Sequence, residues 1–519
     1  MRQIKIFTTL WAVVLCFQLN AQQKLNPTVE NFEKETYATN GLEQLAHELL
    51  DQIGPRLVGS PQMDRAHDWA IQKFESWGIP AENQKFGEWK AWERGISHID
   101  MVSPYIKSLN ATQLAWSPAT KKPLTAEVIA MPAFQSIAEF HAWTPKVKEK
   151  IVLISPKQDY GRSDYQYKEF GTETSLKKIT EEKKSNAQAW KNSLELIGYN
   201  ANTLPAYLED QGAAAIAISN WTGIMGANRI FGAKTRKIPM IDISNEEYSQ
   251  LYRLSENGKT PQLRLDIQSK FKGNTEVYNT VAIIEGKEKP NEYVILSAHI
   301  DSWDGGQGAT DNATGVITAM EAARLIKKFY PNNKRSILVC LWGSEEQGLN
   351  GSRAFVEDHP EILQNTQAVF NFDSGTGRIT RINGGGFEQS YDFLSRWINA
   401  APEYITKEIE TTFPGWPSSG GSDHAAFLAH GIPAFMMGSL NWGYFGYTWH
   451  TNLDTYDKIV FDDLRYNTIL AATMVYMASE EPEKVNRTKR IMPLNKEGTP
   501  VEWPEPVKAN RNSDYYFVK

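Results

Sequence analysis

Two histidines and several carboxylates in the carboxyl-terminal half of this 519-residue chain stand at the ends of apolar runs, where a charge is costly unless something pairs with it. His299-Ile300-Asp301 closes the run 293–298, Glu345-Glu346 follow 336–342 after Gly343-Ser344, and Asp373 follows 368–372. Between the first two runs lies the glycine-flanked turn Gly308-Ala309-Thr310-Asp311-Asn312-Ala313-Thr314-Gly315, and further on comes Trp449-His450-Thr451-Asn452-Leu453-Asp454-Thr455. Imidazole mixed with carboxylate is a ligand set that suits zinc, with manganese or cobalt as chemical substitutes. Metals held by such a set can polarise a carbonyl and lower the pKa of bound water, leaving a nucleophile near neutral pH.

Each residue also has an ordinary reading. A lone histidine is more often structural than ligating, and of the nine in the chain only His299 and His450 are assigned to metal. Asp301, two residues beyond His299, is placed to accept the ring N–H that metal ligation leaves free. Glu345-Glu346 would be a solvated pair on most surfaces; at the end of a buried strand the two side chains diverge, so one can ligate while the other holds a water. Asp311 reads either as a helix N-cap or as a carboxylate bridging two cations. Asp373 reads as a ligand or a plain turn residue, and Asp423 in Gly420-Gly421-Ser422-Asp423-His424 first of all as an N-cap.

These residues need a scaffold. From residue 276 onward apolar runs at 277–284, 293–298, 336–342, 368–372 and 432–437 alternate with helical patterns at 312–330, 387–400, 423–429 and 462–477. That alternation predicts an α/β fold with a mixed, largely parallel sheet flanked by helices, and functional groups in such sheets collect at the carboxyl ends of the strands. In the first helix Val316, Met320, Ala323 and Ile326 form one stripe for the sheet.

The rest of the chain divides by texture. Residues 1–21, with Arg2 and Lys5 before an apolar run and ending in Leu19-Asn20-Ala21, read as a signal peptide, which implies a secreted or periplasmic protein. Its removal takes away Cys16 and leaves Cys340 in a buried strand, with no internal disulfide. Residues 22–124 form the first part of the main domain, 125–270 read as a separate small α/β unit, 271–480 hold the candidate site, and 481–519 look like an extended tail rich in proline. A hydrophobic share of 41%, a charged share of 22% and a net charge of -6 describe a globular protein without the basic face of a nucleic-acid binder. No stretch after the leader approaches the roughly 18 apolar residues of a membrane span.

In order and spacing, the segments SAHIDSW, GATDNATG, WGSEEQGLNGS, NFDSG, GGSDHAAF and HTNLDTYDKI resemble the two-zinc aminopeptidase and glutamate carboxypeptidase superfamily over residues 276–477. Likewise 125–270 resembles the protease-associated domain inserted in many exopeptidases. The resemblance implies two Zn2+ per chain: His299 and Asp373 on one, Glu346 and His450 on the other, Asp311 bridging. It implies that Asp301 orients His299 and that Glu345 is the general base. Some members place a tyrosine directly before the last histidine to steady the oxyanion; here Trp449 stands there, and Tyr447 is out of register.

The resulting expectation is a zinc exopeptidase acting on dipeptides or short peptides, with a homodimer as an open question of assembly. A site crowded with Asp301, Asp311, Glu345, Glu346 and Asp373 favours a free α-ammonium, hence action at the amino end. The rival readings are a carboxypeptidase, a one-zinc glutaminyl cyclase, and a non-catalytic binding protein on the same fold.

Overall fold

The computed structural model describes residues 25–514, so the leader expected at 1–21 and Cys16 lie outside the described residues. Period-two burial builds the centre of the fold. Along Lys289–His299, Val294, Leu296 and Ala298 face one core while Ile295 faces another. Along Arg335–Trp342, Ile337, Val339 and Leu341 join the first core and Leu338, Cys340 and Trp342 the second. A strand apolar on both sides must be covered on both sides. Thr314–Phe329, Phe461–Glu480 and Pro27–Ala38 cover the first face; Asn350–Asp358, Pro360–Asn365 and His424–Ala429 cover the second.

The helix Thr314–Phe329 buries more than the expected stripe, because Ile317, Ala319, Ala322 and Leu325 are also enclosed. Phe461–Glu480 lies across its outer side, so the helix is packed between the sheet and another helix.

The strands form one mixed 14-stranded sheet among the described residues. Around the site the order is Ile379–Asn383, Ala434–Ser439, Thr366–Asn371, Lys289–His299, Arg335–Trp342 and Gln262–Ile284. Thr366–Asn371 and Arg335–Trp342 run parallel to Lys289–His299, with Asn371 opposite Ser297 and Trp342 opposite His299. This register brings three strand ends to one edge of the sheet. The mixed, partly parallel sheet between helical layers is the fold class that the sequence predicts.

The strand at 277–284 turns out to begin at Gln262 and to run 23 residues. Its first half pairs with Leu124–Ala130, Leu265 opposite Leu124, and its second half with Arg335–Trp342, Ile284 opposite Ile337. Through it the strands Ile151–Leu153, Ala215–Ile218 and Met240–Ile243 of segment 125–270 continue the same sheet, over cores of their own around Tyr248 and Phe140. The polar residues Lys270, Lys272, Gly273 and Asn274 in mid-strand concealed this continuity from the sequence. The chain after Glu480 is mostly irregular and lies along the body, with the Trp503 indole donating to the Leu428 carbonyl at 2.7 Å. Among the described residues no helix is long and apolar enough to cross a membrane.

Candidate metal centre

Five side chains converge at the strand edge. His299 ends its strand at 1% exposure, and its Nδ1 lies 3.0 Å from the main-chain oxygen of Asp301. That carbonyl fixes the proton on Nδ1 and leaves Nε2 as an acceptor. Nε2 is 3.3 Å from Asp311 Oδ1 and 3.3 Å from Asp373 Oδ1. Across the bridging carboxylate, His450 Nε2 is 3.2 Å from Asp311 Oδ2 and 2.9 Å from Glu346 Oε2. The arrangement is two three-residue groups, His299-Asp311-Asp373 and Asp311-Glu346-His450, that share the two oxygens of one aspartate.

Asp311 is presented by a turn rather than by a regular helix end. Asp311 and Asn312 lie outside helical geometry, the peptide between them is cis, and the helix Thr314–Phe329 starts directly after. A Cβ on Gly315 would sit 2.2 Å from the Phe372 carbonyl, so only glycine lets this helix start against the strand end that carries Asp373. The N-cap position of the helix is Ala313, with no side-chain cap bond, so Asp311 does not cap it.

Asp301 uses its carboxylate differently from the sequence expectation. Its Oδ1 and Oδ2 accept the main-chain N–H groups of Glu345 at 3.1 Å and Glu346 at 3.2 Å, while His299 Nδ1 is 3.6 Å from Oδ1. The carbonyl of Asp301 orients the imidazole, and its carboxylate holds the Glu345-Glu346 turn.

Several groups that shape the site carry no signal of their own in the sequence. Asp454 is buried and accepts from Thr310 N at 2.8 Å, Thr310 Oγ1 at 2.8 Å and Asp311 N at 3.1 Å, which locks the bridging residue. Arg56, fully buried, donates to the carbonyls of Ile300, Gly54, Gln307 and Gly308 at 2.7–3.0 Å and ties down the loop from His299 to Asp311. His450 has a positive φ of 59° and is held from outside: Ile230 N donates to its carbonyl at 2.8 Å, and Asn228 N to Asn452 Oδ1 at 2.9 Å. Its ring stacks on Trp449 at 3.9 Å between centroids and meets the edge of Phe231 at 5.3 Å. Trp449 is thus a wall for the imidazole. Tyr447 is about half exposed, and the phenol that lines the cavity is Tyr444.

The electrostatics of the pocket call for cations. Burial pulls the His299 ring down, yet Asp373 and Glu345 hold it well above the usual imidazole value. Burial pushes Glu345 well above the usual carboxylate range, with Asp373 and Asp423 adding repulsion. His299 Nε2, Asp311 Oδ2 and Glu346 Oε1 are buried without a hydrogen-bond partner. Atoms left this way beside opposing ligand atoms fit a divalent metal in each group, and the mixed imidazole and carboxylate donors suit zinc. Asp423 is buried and lies in the field of His299 and Asp373, but belongs to neither ligand group. The ligand groups open into a cavity of about 580 Å3.

Residues 279–475 match the model of peptidase family M28, and this segment contains all five candidate ligands. Over this segment the chain resembles the M28 peptidases, and the protein is a zinc-dependent metallopeptidase. Carboxypeptidase Q of Rattus norvegicus is 26% identical over 460 residues, 88% of each chain, and that of Homo sapiens 26% over 446 residues, 85% of each. A peptidase M28 precursor from Shewanella amazonensis SB2B, 25% identical, superposes with a TM-score of 0.64 over 88% of this chain and 97% of that one. A zinc aminopeptidase of Bacillus subtilis, 18% identical, shares the fold with a TM-score of 0.55 over 90% and 98%.

Proposed function

We propose that this protein is a two-zinc exopeptidase that hydrolyses dipeptides and other short peptides with a free amino end. The observation that carries the reading is the Asp311 carboxylate, whose two oxygens face two separate imidazoles, each with a further carboxylate. His299 and Asp373 would hold one zinc, Glu346 and His450 the other, and Asp311 would bridge them. Metal bound there would supply Lewis-acid polarisation of the scissile carbonyl and a lowered pKa for the attacking water.

The chain's own groups complete the chemistry. Glu345 is held beside the ligands by the Asp301 carboxylate through its main-chain N–H, and it takes the proton of the attacking water and delivers it to the departing amine. Tyr444 supplies the hydroxyl that donates to the developing oxyanion, the part that Trp449 cannot play while stacked on His450. The leader-like segment 1–21 supports export as the site of action.

The test is metal analysis joined to peptide cleavage. About two zinc ions per chain, loss of both in Asp311→Ala, and faster cleavage of an unblocked dipeptide than of its N-acetyl form support the reading. One ion per chain would favour the cyclase, none the binding protein. Equal rates on free and acetylated substrates would move the reading to a carboxypeptidase.

A further inference from the structure

The turn that carries Glu345 and Glu346 is held from two sides. On the metal side the Asp301 carboxylate takes both of their main-chain N–H groups. On the other side stands Asn350, fully buried, the first residue of the helix Asn350–Asp358. Its Nδ2 donates to Ser344 Oγ at 3.1 Å and to the Gln347 carbonyl at 3.3 Å, the two residues that flank the glutamates. The turn needs such support, because Ser344 and Leu349 stand at positive φ, 57° and 56°, without being glycine. Backbone in that region persists only where its surroundings over-determine it.

What holds Asn350 is the chain's own tail. Asn510 N donates to Asn350 Oδ1 at 3.0 Å, across 160 residues of sequence. This bond decides which way the amide faces: turned over, it would set its NH2 against the Asn510 N–H and its oxygen against the Gln347 carbonyl. The tail is itself fixed at this place. Glu88 N donates to the Arg511 carbonyl at 2.8 Å, and a Cβ on Gly87 would come within 2.2 Å of that oxygen, so the approach requires glycine. Arg511 also pairs with Glu357 at 2.9 Å and Asp358 at 2.8 Å, at the far end of the helix that Asn350 begins.

We propose that Asn350 is a positioning residue for the base Glu345 and the ligand Glu346, and that the main chain of the tail at Asn510 keeps it in that role. The carboxyl-terminal tail is then a working part of the site, although none of its described residues lines the cavity. This rests on the zinc-exopeptidase reading for the task of Glu345 and on the hydrogen-bond chain for the rest. The Asn510 N–H fixes the amide, the amide fixes Ser344 and Gln347, and these bracket the two glutamates. Without the tail's donor the amide is free to turn, since Ser344 Oγ serves equally as donor or acceptor, and the Gln347 carbonyl then loses its partner. A shift of the base carboxylate by about 1 Å is enough to lower turnover about 100-fold.

The experiment compares wild type with Asn350→Ala, Asn510→Pro, the double variant and Arg511→Met, all as full-length protein. Asn510→Pro deletes the one N–H that faces Asn350, whereas Arg511→Met deletes the ion pairs of the tail and keeps that N–H. In the metal-free protein, hydrogen exchange of the main-chain amides of 345–349 should rise in Asn350→Ala and in Asn510→Pro, no further in the double variant, and not in Arg511→Met. In the zinc-loaded enzyme, kcat on alanyl-alanine should fall about 10- to 100-fold in Asn350→Ala and less in Asn510→Pro, with KM nearly unchanged, and the two losses should not multiply. Losses that multiply would show that the tail acts by another route and overturn the proposal. So would Arg511→Met if it matched Asn510→Pro in exchange and kcat, because the tail would then serve only to hold the body together. If Asn350→Ala does not fold, the comparison of Asn510→Pro with Arg511→Met decides alone. A wild type that cleaves no peptide sinks the exopeptidase reading instead, and the exchange measurement still decides on Asn350 and the tail.

Discussion

Replacing Asp454 by Asn removes one oxygen from a buried carboxylate that makes three hydrogen bonds around the bridging residue. The remaining oxygen can keep Thr310 N and Thr310 Oγ1, but the new amide then turns its NH2 toward the Asp311 N–H, which is now a buried donor facing a donor. Losing one charge-assisted bond and stranding that N–H costs about 2 kcal/mol. Part of this falls on the fold and part on the metal, because the freed Asp311 must be reordered whenever ions bind. Groups that orient ligands typically cost 10- to 100-fold in metal affinity when altered. The assay is competition with a graded series of zinc chelators, run beside urea unfolding of the metal-free protein. Both ions should weaken together, since Asp311 touches both ligand groups. Zinc affinity unchanged within about twofold, or weakening confined to one ion, would refute the idea that Asp454 acts through the bridge.

Glu345→Gln should keep zinc content and lose kcat by at least about 100-fold, since the proton shuttle goes while the ligands stay; metal analysis beside steady-state kinetics checks this. Tyr444→Phe should lower kcat by about 100-fold with little change in KM, as expected for a group that acts on the oxyanion; a pure KM effect would assign it to binding. Arg56→Met strands the buried carbonyls of Ile300 and Gly308 and removes the part-buried bonds to Gly54 and Gln307, and should destabilise the metal-free protein by about 3 kcal/mol in urea unfolding. His67 is buried, bonded to Thr280 Oγ1 at 2.8 Å, and lowered by burial to about 4 from 6.5. Between pH 6.5 and 4 the unfolded chain therefore binds a proton that the folded one refuses. Stability contributed above pH 6.5 is lost as pH falls through this window, up to about 3 kcal/mol, and His67→Gln measured against wild type should lack that loss.

The sequence made the candidate metal edge legible because its signals are local. His299 ends a buried strand, Glu346 and Asp373 follow shortly after two others, and the parallel direction of the three strands fixes the edge they share. Asp311 and His450 were harder, since each owes its geometry to a turn that reads as punctuation in a linear text. Illegible were the groups that act across long separations. Arg56 lies more than 240 residues from the carbonyls of Ile300 and Gly308, and nothing near it hints at them. The amino-end argument from five carboxylates also needs adjusting: Asp301 spends both oxygens on main-chain N–H groups, and bound cations would offset the other four.

The contacts from Asn228 and Ile230 to the His450 loop tie two regions into a single equilibrium. If the second ion binds best when residues 226–231 are docked, then the ion tightens that docking by the same factor, since such coupling is reciprocal. A chelator should consequently raise hydrogen exchange in a segment more than 200 residues upstream of His450. Conversely, a molecule that binds 125–270 more tightly when 226–231 is docked would act as an effector of metal retention, setting how long the enzyme stays loaded when zinc is scarce.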